Sequence, residues 1–550
     1  MYQLTMVYAY WRGGRHNEHA VFDMFFRKNP FAGEFTIFAG LEEVLRFVQS
    51  FRFSPRELDY LRELMPGCEP AFFEYLEHLD CSEMSIAAVA EGTVVFPRVP
   101  LIRVEGPLAV GQLLETTLLN LTNFSSLVCT NAARFRQAAG HEKTLLEFGL
   151  RRAQGPDGGM SATRYAFMGG FDGTSNVAAG LHFPGIVPRG THAHSLVSSY
   201  VKLDDLRSRT LAVKQPTQTP AAAPEERDIV AIALRYRTEL GFSISSMGEL
   251  AAFVSYAQAF PDNFLALVDT YDTLQSGVPN FICVALALRE CGYKARGIRL
   301  DSGDLAYLSK EARRMFIEAD KRVPGSDLAS CNIVASNDIN EAVLLALNEQ
   351  KHSIDTFGIG THLVTCQANP ALGMVYKLVE INDEPRIKLS QEASKVTLPG
   401  RKDSYRLVGA EGVPILDLII RSGEMPPQPQ RRVLCRHPFD DKKRAYVTPS
   451  HVIPLLRTVW LGWRVAAAAG GAGAPAPGAE SDADAAPRSL RAPFPSLQQL
   501  RSFVQRQLQL LREDHLRPLN ATPYKVSVST ELYHYLNNLM MKELPIVELK

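Results

Sequence analysis

Asp301-Ser302-Gly303-Asp304 sets two carboxylates three residues apart, directly after the strand-like stretch Gly297-Ile298-Arg299-Leu300. At that spacing they can converge on one point, which suits a Mg²⁺ ion or a pair of sugar hydroxyls. The same residues suit a turn followed by a helix cap, because Asp and Ser satisfy the first N–H groups of a helix. Arg299 lies two residues before Asp301 and shares its strand face. A cation on an inward face is costly unless it holds an anion. Phe357-Gly358-Ile359-Gly360-Thr361 is a strand running into G-x-G-T, which reads either as a strand-end turn or as a phosphate cradle of backbone N–H groups and a hydroxyl. No G-x-x-x-x-G-K-[ST] occurs, so any ATP is held by other means than a P-loop.

Two further clusters carry chemistry. In Glu147-Phe148-Gly149-Leu150-Arg151-Arg152, adjacent arginines on a strand point to opposite faces. One of them then faces a site, where its fork suits a di- or polyphosphate, and the other makes a structural ion pair. Gly190-Thr191-His192-Ala193-His194-Ser195 holds two histidines that share a face on an extended segment. No Cys, His or Glu neighbour completes a metal site with them. A histidine at a strand end is either a satisfied core residue or a nucleophile, since neutral imidazole accepts a phosphoryl group through a labile N–P bond.

The elements that must position these residues alternate. From 126 to 376 short hydrophobic strands and helices follow each other, which is the pattern of a parallel α/β structure. In a barrel of that kind the active site collects at the C-terminal strand ends, where the residues above stand. Residues 1–125 mix helices with extended segments between Asp80 and Val104, and a long helix follows Gly106-Pro107. Residues 377–550 include an amphipathic helix within 493–519 and a final strand–helix pair. Two low-complexity stretches, 213–226 and 465–487, are read as flexible loops, because neither can bury enough apolar surface to offset its ordering entropy.

Composition excludes several classes. Lys+Arg 59 balances Asp+Glu 59, so no global field recruits nucleic acid or an acidic membrane. With 46% apolar and 21% charged residues the chain has ample core. Eight cysteines without a C-x-x-C or a close pair argue for a reducing cytosol. The first residues have no basic region followed by an apolar one, and no run is apolar enough to span a bilayer.

Taken in order, YQLTMVYAYW, EFGLRRAQGPDGG, GTHAHS, GIRLDSGDL, VASNDIN, FGIGTHLVT and VYKL resemble the eukaryotic form of nicotinate phosphoribosyltransferase, over nearly the whole chain. The resemblance implies an irregular α/β barrel over 126–376, with a flanking α/β domain built from 1–125 and 377–550. It implies ATP-dependent transfer of a 5-phosphoribosyl group from 5-phosphoribosyl 1-diphosphate to nicotinate, the first step from nicotinic acid to NAD. His194 would be phosphorylated by ATP, whereas His192 is not part of the pattern. Tyr2, Thr191 and Arg299 would contact nicotinate. Thr361, Gly360, Gly358 and Arg152 would hold the phosphoribosyl diphosphate. Asp301 and Asp304 would hold Mg²⁺ (or Mn²⁺) or ribose hydroxyls. A Leu-Thr-Asp-Leu stretch normally precedes the Tyr-Gln that here is Tyr2-Gln3. In such enzymes the first domain of one subunit completes the barrel site of another, so a homodimer is expected. The competing readings are an enzyme for nicotinamide, a non-catalytic binding module, and a barrel aldolase or isomerase. The last would want a Lys or Glu at a strand end, and none stands out.

Overall fold

Short apolar strands pair in parallel through the middle of the chain. The computed structural model describes residues 1–214, 225–392, 395–468 and 494–544. It divides into two compact units, Ala132–Gln367 and the pair Met1–Asn131 with Ala368–Lys550.

In the first of these, β1 (Thr144–Glu147), β2 (Gly173–Thr174), β3 (Leu265–Leu267), β4 (Gly297–Leu300), β5 (Asn332–Ser336) and β6 (Thr356–Ile359) form one sheet. Its order is β3-β4-β5-β6-β1-β2 and every pair is parallel. Parallel strands need covering helices, and buried strands read as continuous apolar runs rather than alternating ones. Accordingly β6 is buried at every position, and β4 at every position but Arg299. Helix Val278–Glu290, apolar all round, is buried from Val278 to Leu288.

The outer strands β2 and β3 do not pair with each other. The segment 187–192 runs between them: Thr174 bridges Pro188 in parallel, Arg189 N donates to Thr174 O at 2.7 Å, and Leu267 N donates to the His192 ring at 3.1 Å. The sheet thereby curls into an irregular α/β barrel whose last seam is closed by a side chain.

The other unit takes strands from both ends of the chain. Ser85–Ala88, Ile102–Pro107 and His19–Phe25 join Val375–Ile381, Glu384–Pro385 and Arg457–Leu461 in one antiparallel sheet. A second six-stranded sheet is built between 402 and 528, with Pro414–Arg421 and Val526–Val528 as its parallel pair. The strand starting at Val375 therefore pairs with Phe25, although the sequence reading carried the barrel to 376. The helix after Pro107 runs over Leu108–Ala139, past the boundary drawn at 125.

The loop expected over 213–226 lies mostly outside the described residues, and Glu226 opens a short strand paired with Ala212. Of the stretch 465–487, Val465 to Ala468 belong to helix Trp463–Ala468 and the remainder lies outside the described residues. No helix among the described residues is long and apolar enough to cross a membrane.

Candidate active site

The C-terminal ends of the barrel strands surround a cavity of about 830 Å³, and residues following β1, β2, β4, β5 and β6 all line it. Arg151, Arg152, Arg189 and Arg299 face it against two carboxylates, Asp301 and Asp338. A concave surface with that excess of guanidinium groups is built for an anion.

A buried carboxylate shapes the β1 end. Glu147 is 1% exposed and accepts the hydroxyls of Thr163 and Thr174 at 2.8 and 2.5 Å, and the N–H of Gly149. That last bond ends the strand early, and Leu150–Arg152 becomes a 3₁₀ turn. Successive residues of such a turn step by about 120° instead of alternating. Both Arg151 and Arg152 consequently line the cavity, where the strand reading allowed only one. Arg152 Nη1 donates to Thr361 Oγ1 at 2.7 Å and lies 3.8 Å from Asp338. Gly358 leaves room for Phe148, since a Cβ there would lie 2.4 Å from its ring. Gly360 and Thr361 follow at the rim, with Thr361 opening a one-turn helix.

On the opposite wall Arg299 Nη1 donates to Thr191 Oγ1 at 2.9 Å, while its buried Nε has no hydrogen-bond partner among the described residues. Burial pulls its pKa below the ordinary arginine value, with the carboxylates of Asp301 and Asp269 acting in the other direction. His194 opens a short helix, Nδ1 3.1 Å from Thr270 Oγ1 and Nε2 3.7 Å from Asp301 Oδ2. Asp301 Oδ1 accepts Ser336 Oγ at 2.5 Å. Asp269, at the end of β3, accepts Asp301 N at 3.1 Å and the Ser302 hydroxyl through one oxygen. Its other oxygen is buried without a hydrogen-bond partner among the described residues.

Not every predicted residue converges. Asp304 Oδ1 accepts Tyr307 N at 2.9 Å as the N-cap of helix Leu305–Arg322, and Asp304 does not line the cavity. Gly303 at φ +80° makes the turn between the two aspartates, so only Asp301 stays at the site. Tyr2 opens helix Tyr2–Arg12, half exposed, with its hydroxyl 3.1 Å from Thr116 Oγ1; it is not among the lining residues. His192 and His194 do not act as a pair. The His192 ring packs at 4.8 Å on Tyr256, and burial lowers its pKa to about 4. No group of three metal-ligating side chains occurs among the described residues.

The sequence reading missed Asp269, Thr270 and Ser336. Asp269 had a legible signal, an acid closing the apolar run Phe264-Leu265-Ala266-Leu267-Val268. The other two have ordinary compositions and acquire a role only through contacts 35 or more residues away.

Comparison with known proteins shows the family. Residues 1–123 match the family model for the nicotinate phosphoribosyltransferase (NAPRTase) N-terminal domain, and residues 401–468 and 488–536 match its C-terminal domain. The chain is 51% identical over 559 residues to nicotinate phosphoribosyltransferase 1 of Arabidopsis thaliana, covering 100% of this chain and 94% of that protein. It is 41% identical to the Homo sapiens nicotinate phosphoribosyltransferase, covering 99% and 96%. The crystal structure of human nicotinic acid phosphoribosyltransferase superposes with a TM-score of 0.83 at 40% identity, covering 98% of this chain and 99% of that one. On this evidence the chain belongs to the nicotinate phosphoribosyltransferase family.

Proposed function

We infer that this chain joins nicotinate to 5-phosphoribosyl 1-diphosphate, giving nicotinate mononucleotide and diphosphate, and hydrolyses ATP in doing so. The observation that carries the reading is Arg299: a mostly buried guanidinium with one hydrogen bond, to Thr191, in the same cavity as His194 and Asp301. A nicotinate carboxylate would complete its fork in bidentate fashion, with the Thr191 hydroxyl as a second donor.

In this reading the pyridine nitrogen supplies the electron pair that forms the new bond at the ribose anomeric carbon, as the bond to diphosphate breaks. The nucleophile needs no strong base, so holding the ring is the main task. Charge develops on the departing diphosphate, and Arg151, Arg152 and Arg189 with the Thr361 hydroxyl are the donors available to it. Mg²⁺ would be held by Asp301, which lines the cavity, with Asp269, whose Oδ1 is a hard donor without a hydrogen-bond partner among the described residues, bonded to the Asp301 N–H through its other oxygen. When bound, it would neutralise leaving-group charge. Asp269 would join Asp301 in that set, where the sequence reading had Asp304, although neither Asp269 nor Asp304 is a lining residue of the cavity. His194 would accept the ATP γ-phosphoryl group through the lone pair of Nε2, with Nδ1 keeping its proton toward Thr270: an N–P bond forms, the β–γ P–O bond breaks and ADP leaves with the bridging oxygen. Tyr2 would reach nicotinate from a second copy of the chain, which makes the working unit a homodimer. A cytosolic setting belongs to the same reading, supported by eight cysteines without a disulfide.

Purified protein incubated with nicotinate, phosphoribosyl diphosphate, Mg²⁺ and ATP tests this, with nicotinamide in a parallel tube. The expected result is mononucleotide from nicotinate alone, with ADP rising beside it. His194→Ala is expected to stop ADP formation, and an alanine variant hydrolysing ATP at the wild-type rate would remove His194 from that role.

A further inference from the structure

We propose that His192 is a positioning residue that latches the substrate wall of the cavity to the barrel by acting in place of a backbone carbonyl. The inference rests on the reading that nicotinate binds beside Arg299 and that His194 accepts a phosphoryl group. Two features lead to it. The segment 187–192 is tied to β2 by backbone bonds, Thr174 N to Val187 O at 3.4 Å and Arg189 N to Thr174 O at 2.7 Å. On its other side the tie to β3 among the described residues is Leu267 N donating to His192 Nε2 at 3.1 Å. A ladder bond has been replaced by an imidazole acceptor.

Thr191 and His192 alternate along the extended segment, which ends where His194 opens a short helix. His192 lines the cavity beside Thr191 and Arg299 and seats its ring against Tyr256 and Phe253, with centroids at 4.8 and 6.3 Å. Thr191, one residue before, presents its hydroxyl to Arg299, and His194, two residues after, presents its ring to Thr270 and Asp301. One latch therefore sets two subsites, the carboxylate-binding pair and the phosphoryl acceptor. A neutral ring with its lone pair on Nε2 is required, and the aromatic packing supplies the dry surroundings that keep it neutral.

Three variants of the full-length chain test the proposal. His192→Phe keeps the ring and removes the acceptor, leaving the Leu267 N–H buried and unpaired. His192→Gln restores an acceptor at the reach of Nε2, and His192→Asn offers one that stops short. Hydrogen exchange followed by mass spectrometry reads the latch directly. Peptides covering 187–194 and 265–268 are expected to exchange about tenfold faster in the Phe variant, the cost of one unmade buried bond. Peptides over 297–300 stay protected, and Gln returns the wild-type rate. In the folded enzyme, KM for nicotinate rises and phosphate uptake on His194 falls together in the Phe variant, and Gln rescues both. If the Phe variant does not fold, the Asn–Gln pair carries the same contrast. Unchanged exchange, or a Gln variant behaving like Phe, overturns the proposal. Faster exchange with unchanged KM and phosphate uptake overturns it too, reducing His192 to a structural residue. A wild-type chain that makes no mononucleotide would fail the functional reading instead, and exchange would still judge the latch.

Discussion

Two arginines, one in each compact unit, one buried and one mostly so, meet opposite fates. Arg406, 4% exposed, is met by both oxygens of the fully buried Asp417 at 2.8 and 2.9 Å. It also donates to Val94 O at 2.8 Å, and Tyr524 OH donates to Asp417 at 3.1 Å. Burial works to lower the Arg406 pKa, but Asp417 and then Tyr524 outweigh it, so the net shift is upward. Among the described residues Arg299 has one hydrogen bond and an unpartnered Nε, and there burial outweighs Asp301 and Asp269, so the net shift is downward. A buried charge whose partners are complete holds a fold together. One left incomplete in a cavity is stored for a ligand, and its desolvation cost is recovered only when an anion arrives.

The comparison can be broken most forcefully at Arg406. Arg406→Leu leaves Asp417 buried without its cation, and about 3–5 kcal/mol of unfolding free energy should be lost. Chemical denaturation of the full chain measures it, and KM for nicotinate in the folded fraction should not move. A smaller loss, under about 1 kcal/mol, would mean that Asp417 takes a proton or finds another donor.

A buried acid behind the site sharpens the same contrast. Glu249, fully buried, accepts Asn280 Nδ2 at 3.0 Å and the Ser276 hydroxyl, and its other oxygen has no hydrogen-bond partner among the described residues. Burial pushes its pKa up to about 7. The folded state then binds this proton more tightly than the unfolded chain, so stability from the group is full below the ordinary Glu value and is lost as pH rises through about 7. Glu249→Gln should remove that fall: between pH 5 and 8 the wild type is expected to lose about 2–3 kcal/mol relative to the variant. Parallel slopes for the two proteins in pH-dependent unfolding would contradict it.

The smallest effect separates the two aspartates of one loop. Asp304→Ala removes a helix cap and should cost about 1 kcal/mol with KM and kcat retained. Asp301→Asn should leave the unfolding midpoint nearly unchanged and abolish turnover. Equal kinetic losses in the two variants would restore Asp304 to the site.

Much of this architecture could be read from local pattern. The alternation of short strands and helices requires a parallel sheet, and Ser54-Pro55-Arg56-Glu57 forms the capping box its sequence signals, with Glu57 N donating to Ser54 Oγ. G-x-G-T likewise sits at a strand end facing the cavity. What could not be read depends on distant partners. The turn at Leu150–Arg152 exists because Glu147, held by Thr163 and Thr174, captures the Gly149 N–H. The family pattern set His192 apart from His194, but its own task became legible only with Phe253, Tyr256 and Leu267 beside it. Asp301 and Asp304 look alike in sequence, and only the course of the helix after Gly303 separates their tasks.

Substrate preference at Arg299 is the most direct measurement. Specificity, kcat/KM for nicotinate over kcat/KM for nicotinamide, should be compared between the wild type and Arg299→Gln under identical Mg²⁺ and ATP. The account predicts a strong wild-type preference for nicotinate that falls by about 10- to 150-fold in the variant, the loss of one charged bidentate contact, with unfolding unchanged. A preference that survives the substitution would mean that the incomplete arginine is not what recognises the carboxylate.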